Sequence, residues 1–319
     1  MTIDKCLKCY QPLDEGEMGF HKNCSHKFFG TLEPPLLDYS LDQMKELAAQ
    51  NVLRSISITG VQPKMSLNIE KKTGDPQLSR LTIVGLWGQY ILKPPSEEFP
   101  HLPENEDLTM HLAALYGIET AEHSLIRLKT GELAHITKRF DRVNGQKLPL
   151  EDMCQLTETL TSQKYRGSME KVGRHIDRFS SNPGIDKLAL FTLTLFSYVS
   201  GNADMHLKNF SLLTTESGRI GLAPAYDLLS TKLAMPEDKE DMALTLNAKK
   251  SNFQRKDFEA FAAHLGIPSV ARDHVFVQFS QNFSRAAALI DISCLSGTGK
   301  AMYKDLLASN YNSIELAPK

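Results

Sequence analysis

Apolar residues recur at strand spacing through much of the first half of the chain and at helical spacing through most of the second. Residues 41–50, LDQMKELAAQ, read as a short amphipathic helix. Residues 65–69 and 80–95 read as strands, the second stretch, RLTIVGLWGQYILKPP, as a pair broken by glycine and closed by proline. Residues 103–117 carry Pro and acids in their first turn and Gly at their end, which predicts a helix. Residues 135–142 return to a strand pattern. From Leu150 onward the expectation is helical: EDMCQLTETL, SMEKVGRHIDRF, an all-round apolar and therefore buried helix over 185–199, then DFEAFAAHLG, ARDHVFVQFSQNFSRAAALIDIS and GKAMYKDLLASNYNSI. Phe276, Phe279, Phe283, Ala287 and Leu289 are assigned to the core by their period. The helical series is interrupted once, after 199, by a loop, a strand at 210–213, a turn over 215–218 and a second strand leading to Asp227. Neither an internal repeat nor a low-complexity segment is present.

Composition narrows the class. A chain of 319 residues, 41% hydrophobic and 23% charged, has the makeup of a soluble globular protein long enough for two lobes. Lys and Arg number 36 against 38 Asp and Glu, so no basic excess points to direct nucleic-acid or membrane binding. The start, MTIDKCLKC, lacks a signal-peptide core and no uncharged run reaches membrane-spanning length, which predicts a cytoplasmic protein. Five cysteines in such a chain are expected as reduced thiols. Cys6-x-x-Cys9 and His21-x-x-Cys24 form two pairs whose spacing could close a tetrahedral zinc site on an N-terminal knuckle over 1–34. The alternative is ordinary thiols and a histidine packed against Phe20, Phe28 and Phe29. Glu33-Pro-Pro marks the linker that follows.

Residues 196–232 concentrate polar side chains at a spacing suited to chemistry. Four residues separate Asp204 from Asn209, the offset by which a phosphotransfer loop sets one carboxylate at an incoming hydroxyl and one amide oxygen on magnesium. Asp227, across the hairpin, could complete a hard-oxygen metal site with Asn209. A plain polar turn with Asx caps explains the pair alone. Delivery of these groups by a buried helix favours a function that offsets their desolvation. Upstream, Ser57-Ile-Thr59-Gly60-Val61-Gln62-Pro-Lys64 stands between two strands, with one glycine and small neighbours where backbone amides could approach phosphate; a β-turn is the plain alternative. Lys93 ends an apolar strand. Glu106 lies in the first turn of the next helix, where the helix dipole favours an acid, and where a kinase glutamate would pair with a strand lysine.

The run SGNADMHLKNFSLL with APAYDLLST, the upstream SISITGVQPK, and the pieces ILKPP and KRFDR, in this order, closely resemble the HipA-like serine/threonine kinase toxins, and the short length resembles their compact HipT-like branch. The resemblance covers about residues 50 to 265. It implies an α+β, two-lobed, protein-kinase-like fold, with a β-rich N-lobe over 35–142 and a helical C-lobe over 143–319. It implies transfer of the ATP γ-phosphoryl group to a protein Ser or Thr, with Asp204 as the catalytic base and Asn209 and Asp227 holding Mg2+. Thr59, Gly60, Val61, Gln62 and Lys64 would cover the ATP phosphates. Lys93 would pair with them, and His206 and Lys208 could reach them too. Lys138, Arg139 and Phe140 would form the adenine hinge, and Tyr226, next to the metal ligand, would also bind the nucleotide. Ser57, with Thr59 beside it, occupies the family's autophosphorylation position. The implied partners are an aminoacyl-tRNA synthetase as substrate, a small HipS-like protein and a HipB-like DNA-binding antitoxin. A small-molecule phosphotransferase and a nucleotide-binding regulator without turnover remain open as alternatives.

Overall fold

The computed structural model describes residues 5–54, 64–72, 75–84, 87–99 and 101–316, and the chain divides into two compact units. The first comprises the residues up to Asp107 together with Ala121–Phe140 and Ile292–Cys294. It holds α1 (Lys22–Phe29), α2 (Leu41–Arg54), β1 (Met65–Lys72), β2 (Asp75–Val84), β3 (Tyr90–Lys93), the first turns of α3 (Leu102–Leu115), β4 (His123–Arg127) and β5 (Leu133–Lys138). The five strands form one antiparallel sheet in the order β2-β1-β3-β5-β4. Period-two alternation splits the sheet into two faces. Met65, Leu67, Tyr90, Leu92 and Ile136 are buried on one; pairing of Lys93 with His135, and of His135 with Leu125, puts these residues and His123 on the other. Glycine at 88 is required by contact: a Cβ there would stand 2.7 Å from the backbone N and O of Leu67. That close approach lets the chain entering β3 lie against β1.

α2 runs to Arg54, four residues beyond its sequence-based limit. Ser57, Thr59, Gly60, Val61 and Gln62 lie outside the described residues.

The second unit contains the rest of α3, the short hairpin β6 (Arg142–Val143) and β7 (Gln146–Lys147), then β8 (Leu150–Asp152), α4 (Met153–Leu156), α5 (Met169–Phe179), α6 (Pro183–Val199), β9 (Ser211–Thr214), β10 (Ile220–Leu222), α7 (Thr231–Ala234), α8 (Arg255–His264), α9 (Ser269–Ile292) and α10 (Gly297–Ser313). Residues 150–160, expected as a helix, begin instead as a strand. Leu150 and Asp152 pair with Leu213 and Ser211 of β9, and Asp152 then caps the four-residue α4 in a reciprocal capping box with Gln155. Pairing with a distant strand overrides the local pattern there.

α6 starts with Pro183 in its first turn, where a missing N–H costs nothing. Its burial is graded: Leu190 to Val199 are buried except Thr192, whereas Ile185 is 64% exposed. The all-round apolar reading therefore holds for the second half alone. On α9, Phe276 and Phe279 are core residues as expected, but Ala286 and Ile290 take the buried positions assigned to Ala287 and Leu289. Phe283 is half-buried against Tyr311. No helix among the described residues is long and apolar enough to cross a membrane.

Candidate active site

The C-terminus of α6 turns sharply at Gly201, whose φ of 66° is a conformation that side chains disfavour. A Cβ at 201 would also stand 2.7 Å from Leu306 and 3.2 Å from Lys232, so glycine alone fits. The chain then runs through a loop held by its own polar groups. Thr231 Oγ1 accepts from the Ala203 amide at 2.8 Å and donates to the Gly201 carbonyl at 3.1 Å. Asn202 Oδ1 accepts from the Asp204 amide at 3.1 Å, and the Asp204 carbonyl accepts from the His206 amide at 2.8 Å.

Asn209 Nδ2 donates to that same Asp204 carbonyl at 2.9 Å. The bond fixes which way the amide faces: its nitrogen is turned to the backbone, so Oδ1 is the atom left to act as a ligand. Asp204 is partly exposed, and its Oδ1 accepts from the Tyr165 hydroxyl at 2.7 Å. Although Tyr165 is 45% exposed, local desolvation of its hydroxyl and the adjacent Asp204 carboxylate raise the phenol above its ordinary pKa, so it stays a donor. Tyr165 also stands edge-on to the His206 ring, centroids 5.1 Å apart. His206 is buried, while Lys208 is turned to Asp152, Nζ to Oδ2 2.6 Å.

Asp227 follows β10. The Ala223 amide donates to the Ser211 carbonyl at 2.9 Å, continuing the pairing of the two arms. Tyr226 then crosses back, donating to the Lys208 carbonyl at 2.8 Å and sharing a 2.6 Å hydrogen bond with Ser211 Oγ. These contacts tie the residue before Asp227 to the segment that bears Asn209. Asp227 has a left-handed φ of 59°, a conformation Asp tolerates better than most residues. Two oxygens of the kind that suits magnesium, an amide and a carboxylate, thus sit on adjoining stretches of one hairpin, and the donor set fits that ion.

Within the first unit, Lys93 pairs with Glu106, Nζ to Oε1 2.5 Å, and both are buried. Glu106 is therefore more than an acid favoured by the start of α3. Burial acts to raise its pKa, and His135 and Lys93 outweigh that, holding the carboxyl below the ordinary glutamate range. Lys64, exposed at the start of β1, adds to the same field. Lys138 ends β5 and forms a surface contact with Glu122, 3.4 Å, while the Arg139 amide donates to the Gln89 carbonyl at 2.8 Å. Phe140 is half-exposed at the edge of the unit.

Sequence reasoning missed the groups behind this ion pair. Asp107 Oδ1 accepts from His123 Nδ1 at 2.7 Å and its Oδ2 from the Tyr10 hydroxyl at 2.5 Å; His135 stands 3.4 Å from Glu106. No signal in the chain joins residues 10, 107, 123 and 135, because they come from a loop, a helix and two strands that only tertiary packing brings together. Burial, chiefly, holds both imidazoles below their ordinary pKa, His123 well below it. Imidazoles in the unfolded chain take protons near pH 6.5, so below that pH the unfolded state binds more of them and stability is lost as pH falls. Each neutral histidine contributes a slope of up to about 1.4 kcal/mol per pH unit in that range. Thermal denaturation should accordingly show a lower melting temperature at pH 5.5 than at pH 7.5, and replacing His123 with Gln should flatten the dependence. An unchanged or rising melting temperature on acidification would refute the neutral assignment.

The model of the HipA-like C-terminal domain matches residues 56–287. The chain is 28% identical over 298 residues to a Haemophilus influenzae protein named "Putative kinase", covering 82% of this chain and 83% of that one. It is 30% identical over 239 residues to the serine/threonine-protein kinase toxin HipA of Shewanella oneidensis, covering 67% of this chain and 52% of that protein. The chain thus spans about half the length of that relative. In structure it is similar to HipA of Shewanella oneidensis MR-1, solved with HipB and operator DNA, at a TM-score of 0.66 and 24% identity over 80% of this chain and 64% of that one. It is also similar to the Helicobacter pylori proinflammatory kinase CtkA, TM-score 0.54 and 17% identity, over 79% and 94% of the two chains. The fold is the kinase-like mixture of helix and sheet expected from the sequence.

Proposed function

The chain belongs to the HipA-like C-terminal domain family, and from that premise we propose that it is a serine/threonine protein kinase acting as a toxin, with ATP as phosphoryl donor. The observation that carries the reading is the Asn209 amide held by the Asp204 carbonyl, which sets an oxygen ligand beside a partly exposed carboxylate. Asp204 takes the proton of the attacking hydroxyl, its carboxylate steadied by the Tyr165 donor. Asn209 and Asp227 would hold Mg2+, which when bound supplies neutralisation of phosphate charge. Lys93, held in place by Glu106, pairs with the nucleotide phosphates, and Lys64, His206 and Lys208 add positive charge or donors toward them. Lys138, Arg139 and Phe140 receive the base, with residues 35–142 serving as the nucleotide lobe and 143–319 as the catalytic one. Chemistry of this kind requires positioning and electrostatics and no covalent enzyme intermediate.

An aminoacyl-tRNA synthetase is the proposed substrate, and a HipB-like antitoxin and a HipS-like small protein are the proposed partners. The solved HipA relative was crystallised with HipB, which supports the first of these two partners. Incubation of the chain with labelled ATP and cell lysate should label a protein of synthetase size. A labelled metabolite would favour a small-molecule phosphotransferase, and no label a regulator without turnover.

Ser57 and Thr59 are the proposed autophosphorylation sites. Phosphate there adds about −1.5 to −2 charges and competes with ATP for the amides of the Thr59 to Lys64 loop. Mass spectrometry of active protein should find phosphate on one or both, and Asp at both positions should weaken ATP binding. Unmodified active protein, or unchanged affinity, refutes the switch.

A further inference from the structure

The N-terminal segment, which none of the phosphotransfer roles uses, brings four soft ligands to one point. The Sγ atoms of Cys6, Cys9 and Cys24 and a ring nitrogen of His21 all lie within 4.8 Å of one another. His21 Nδ1 is 3.4 Å from Cys9 Sγ and 3.8 Å from Cys24 Sγ. Zinc bonded to sulfur at about 2.3 Å and to nitrogen at about 2.1 Å sets its ligand atoms about 3.5–3.8 Å apart around a tetrahedron, so these separations are those a metal would need.

Backbone hydrogen bonds build the pocket. Tyr10, with a left-handed φ of 62°, closes the Cys6-to-Cys9 turn, its amide donating to the Cys6 carbonyl at 2.9 Å. Cys6 and Leu7 amides donate to the Gln11 and Gly19 carbonyls, binding the turn to the strand-like return before His21. His21 caps α1, so Cys24 lies one turn in and both cluster on the same end of that helix. The His21 amide also donates toward Cys6 Sγ at 3.5 Å.

A second, independent observation concerns the imidazole. Its Nε2 is 2.7 Å from the Pro12 carbonyl, which can only accept, so Nε2 carries the proton and Nδ1 presents its lone pair to the three sulfurs. Metal-bound histidines are oriented in this way by a backbone acceptor on the far nitrogen. Phe20, Phe28 and Phe29 do pack together, but on one another and on Tyr90.

We propose that Cys6, Cys9, His21 and Cys24 bind one zinc ion in a closed structural site that braces the sheet carrying Lys93. Four protein ligands leave no open coordination position for a reaction, so the site is structural. Two connections transmit the brace. Behind the first ligand pair, the Leu7 carbonyl accepts from the Leu125 amide and Ser124 Oγ of β4, and Tyr10 donates to Asp107, the neighbour of Glu106. Behind the second, Phe28 and Phe29 of α1 pack on Tyr90 of β3, whose hydroxyl donates to the Phe28 carbonyl at 3.0 Å. The effect on phosphotransfer rests on the kinase reading above; the metal and the brace do not.

Purified, reduced full-length chain should contain about one equivalent of zinc by elemental analysis. Cobalt added to chelator-stripped protein should give the visible bands of a tetrahedral site and the near-ultraviolet thiolate charge transfer. Cys24→Ser should lose both, while Cys154→Ser and Cys294→Ser, which change the two other free thiols, should keep them. If Cys24→Ser fails to fold, titrating the wild type with an organomercurial reads the same point, because zinc should leave as the clustered thiols are modified. Stripping the metal should speed amide exchange in β3 and β4 at least tenfold relative to α8. Reduced protein with neither zinc nor a tetrahedral cobalt spectrum overturns the site, as does full zinc retention in a Cys9→Ser/Cys24→Ser double variant. Unchanged exchange in β3 and β4 overturns the brace.

Discussion

Replacing Asp204 with Ala should abolish phosphotransfer while leaving nucleotide affinity within about twofold. The loop supplies the reason. Three hydrogen bonds by which residue 204 supports its own loop run through its backbone: the amide donates to Asn202, and the carbonyl accepts from His206 and Asn209. Alanine keeps all three, so the Asn209 amide stays oriented and the hairpin keeps the two oxygens proposed as metal ligands. Only the carboxylate and its bond from Tyr165 are lost. A positioned general base is worth roughly 10²–10⁴ in rate, and the deficit should appear in kcat with little change in KM for ATP. Tyr165→Phe, which leaves the carboxylate but removes its donor, should have a smaller effect. Asp227→Ala should instead weaken magnesium-dependent nucleotide binding, measured by calorimetry with and without the ion. Wild-type turnover in Asp204→Ala would sink the assignment.

The second large effect falls on Lys93 and Glu106 and separates stability from activity. Both groups are buried, and removing one partner of such a pair leaves the other charge without its counter-ion, a loss of about 3–5 kcal/mol. Glu106→Leu should therefore be the most damaging of the three variants to the fold. Lys93→Met should cost less, because loss of the lysine charge that helps keep His135 neutral lets that imidazole, 3.4 Å from Glu106, take up a proton in its place. The double variant Lys93→Met/Glu106→Leu exchanges the pair for apolar groups of similar volume and should recover much of the stability. It should remain inactive, since the lysine proposed to meet the phosphates is gone. Chemical denaturation and single-turnover phosphotransfer on the three proteins test this together. A double variant no more stable than Glu106→Leu would show that the pair is not coupled as described.

What the chain disclosed before its structure follows from how local each signal is. α6 and the hairpin after it were visible because an all-round apolar run over 185–199 is followed by a short apolar run at 210–213 and a turn over 215–218. The start of α3 was visible through its acids and proline. Residues 150–152 were misread because their partner, β9, lies some sixty residues away, and a three-residue strand leaves no period to detect. Ala287 and Leu289 were assigned to the core over Ala286 and Ile290 because several faces of α9 carry apolar residues, and the packing partner chooses between them. In the candidate site, Asp204 and Asn209 stand out by their spacing, whereas Tyr165 does not, lying in an irregular stretch where a tyrosine carries no pattern. The same holds for Asp107 and His123, one on a helix and one on a strand, which meet only through tertiary packing.

The loop from Gly201 to Asn209 is held by Thr231, Asn202 and its own carbonyls. Fixing a residue's backbone forfeits roughly 1–2 kcal/mol of conformational entropy, and here that loss falls at folding rather than at substrate capture. Binding energy from nucleotide and acceptor is then released from ordering this segment and can go into affinity or the barrier. The calorimetric signature of nucleotide binding should accordingly lack the large opposing entropy that a loop folding around its ligand would show.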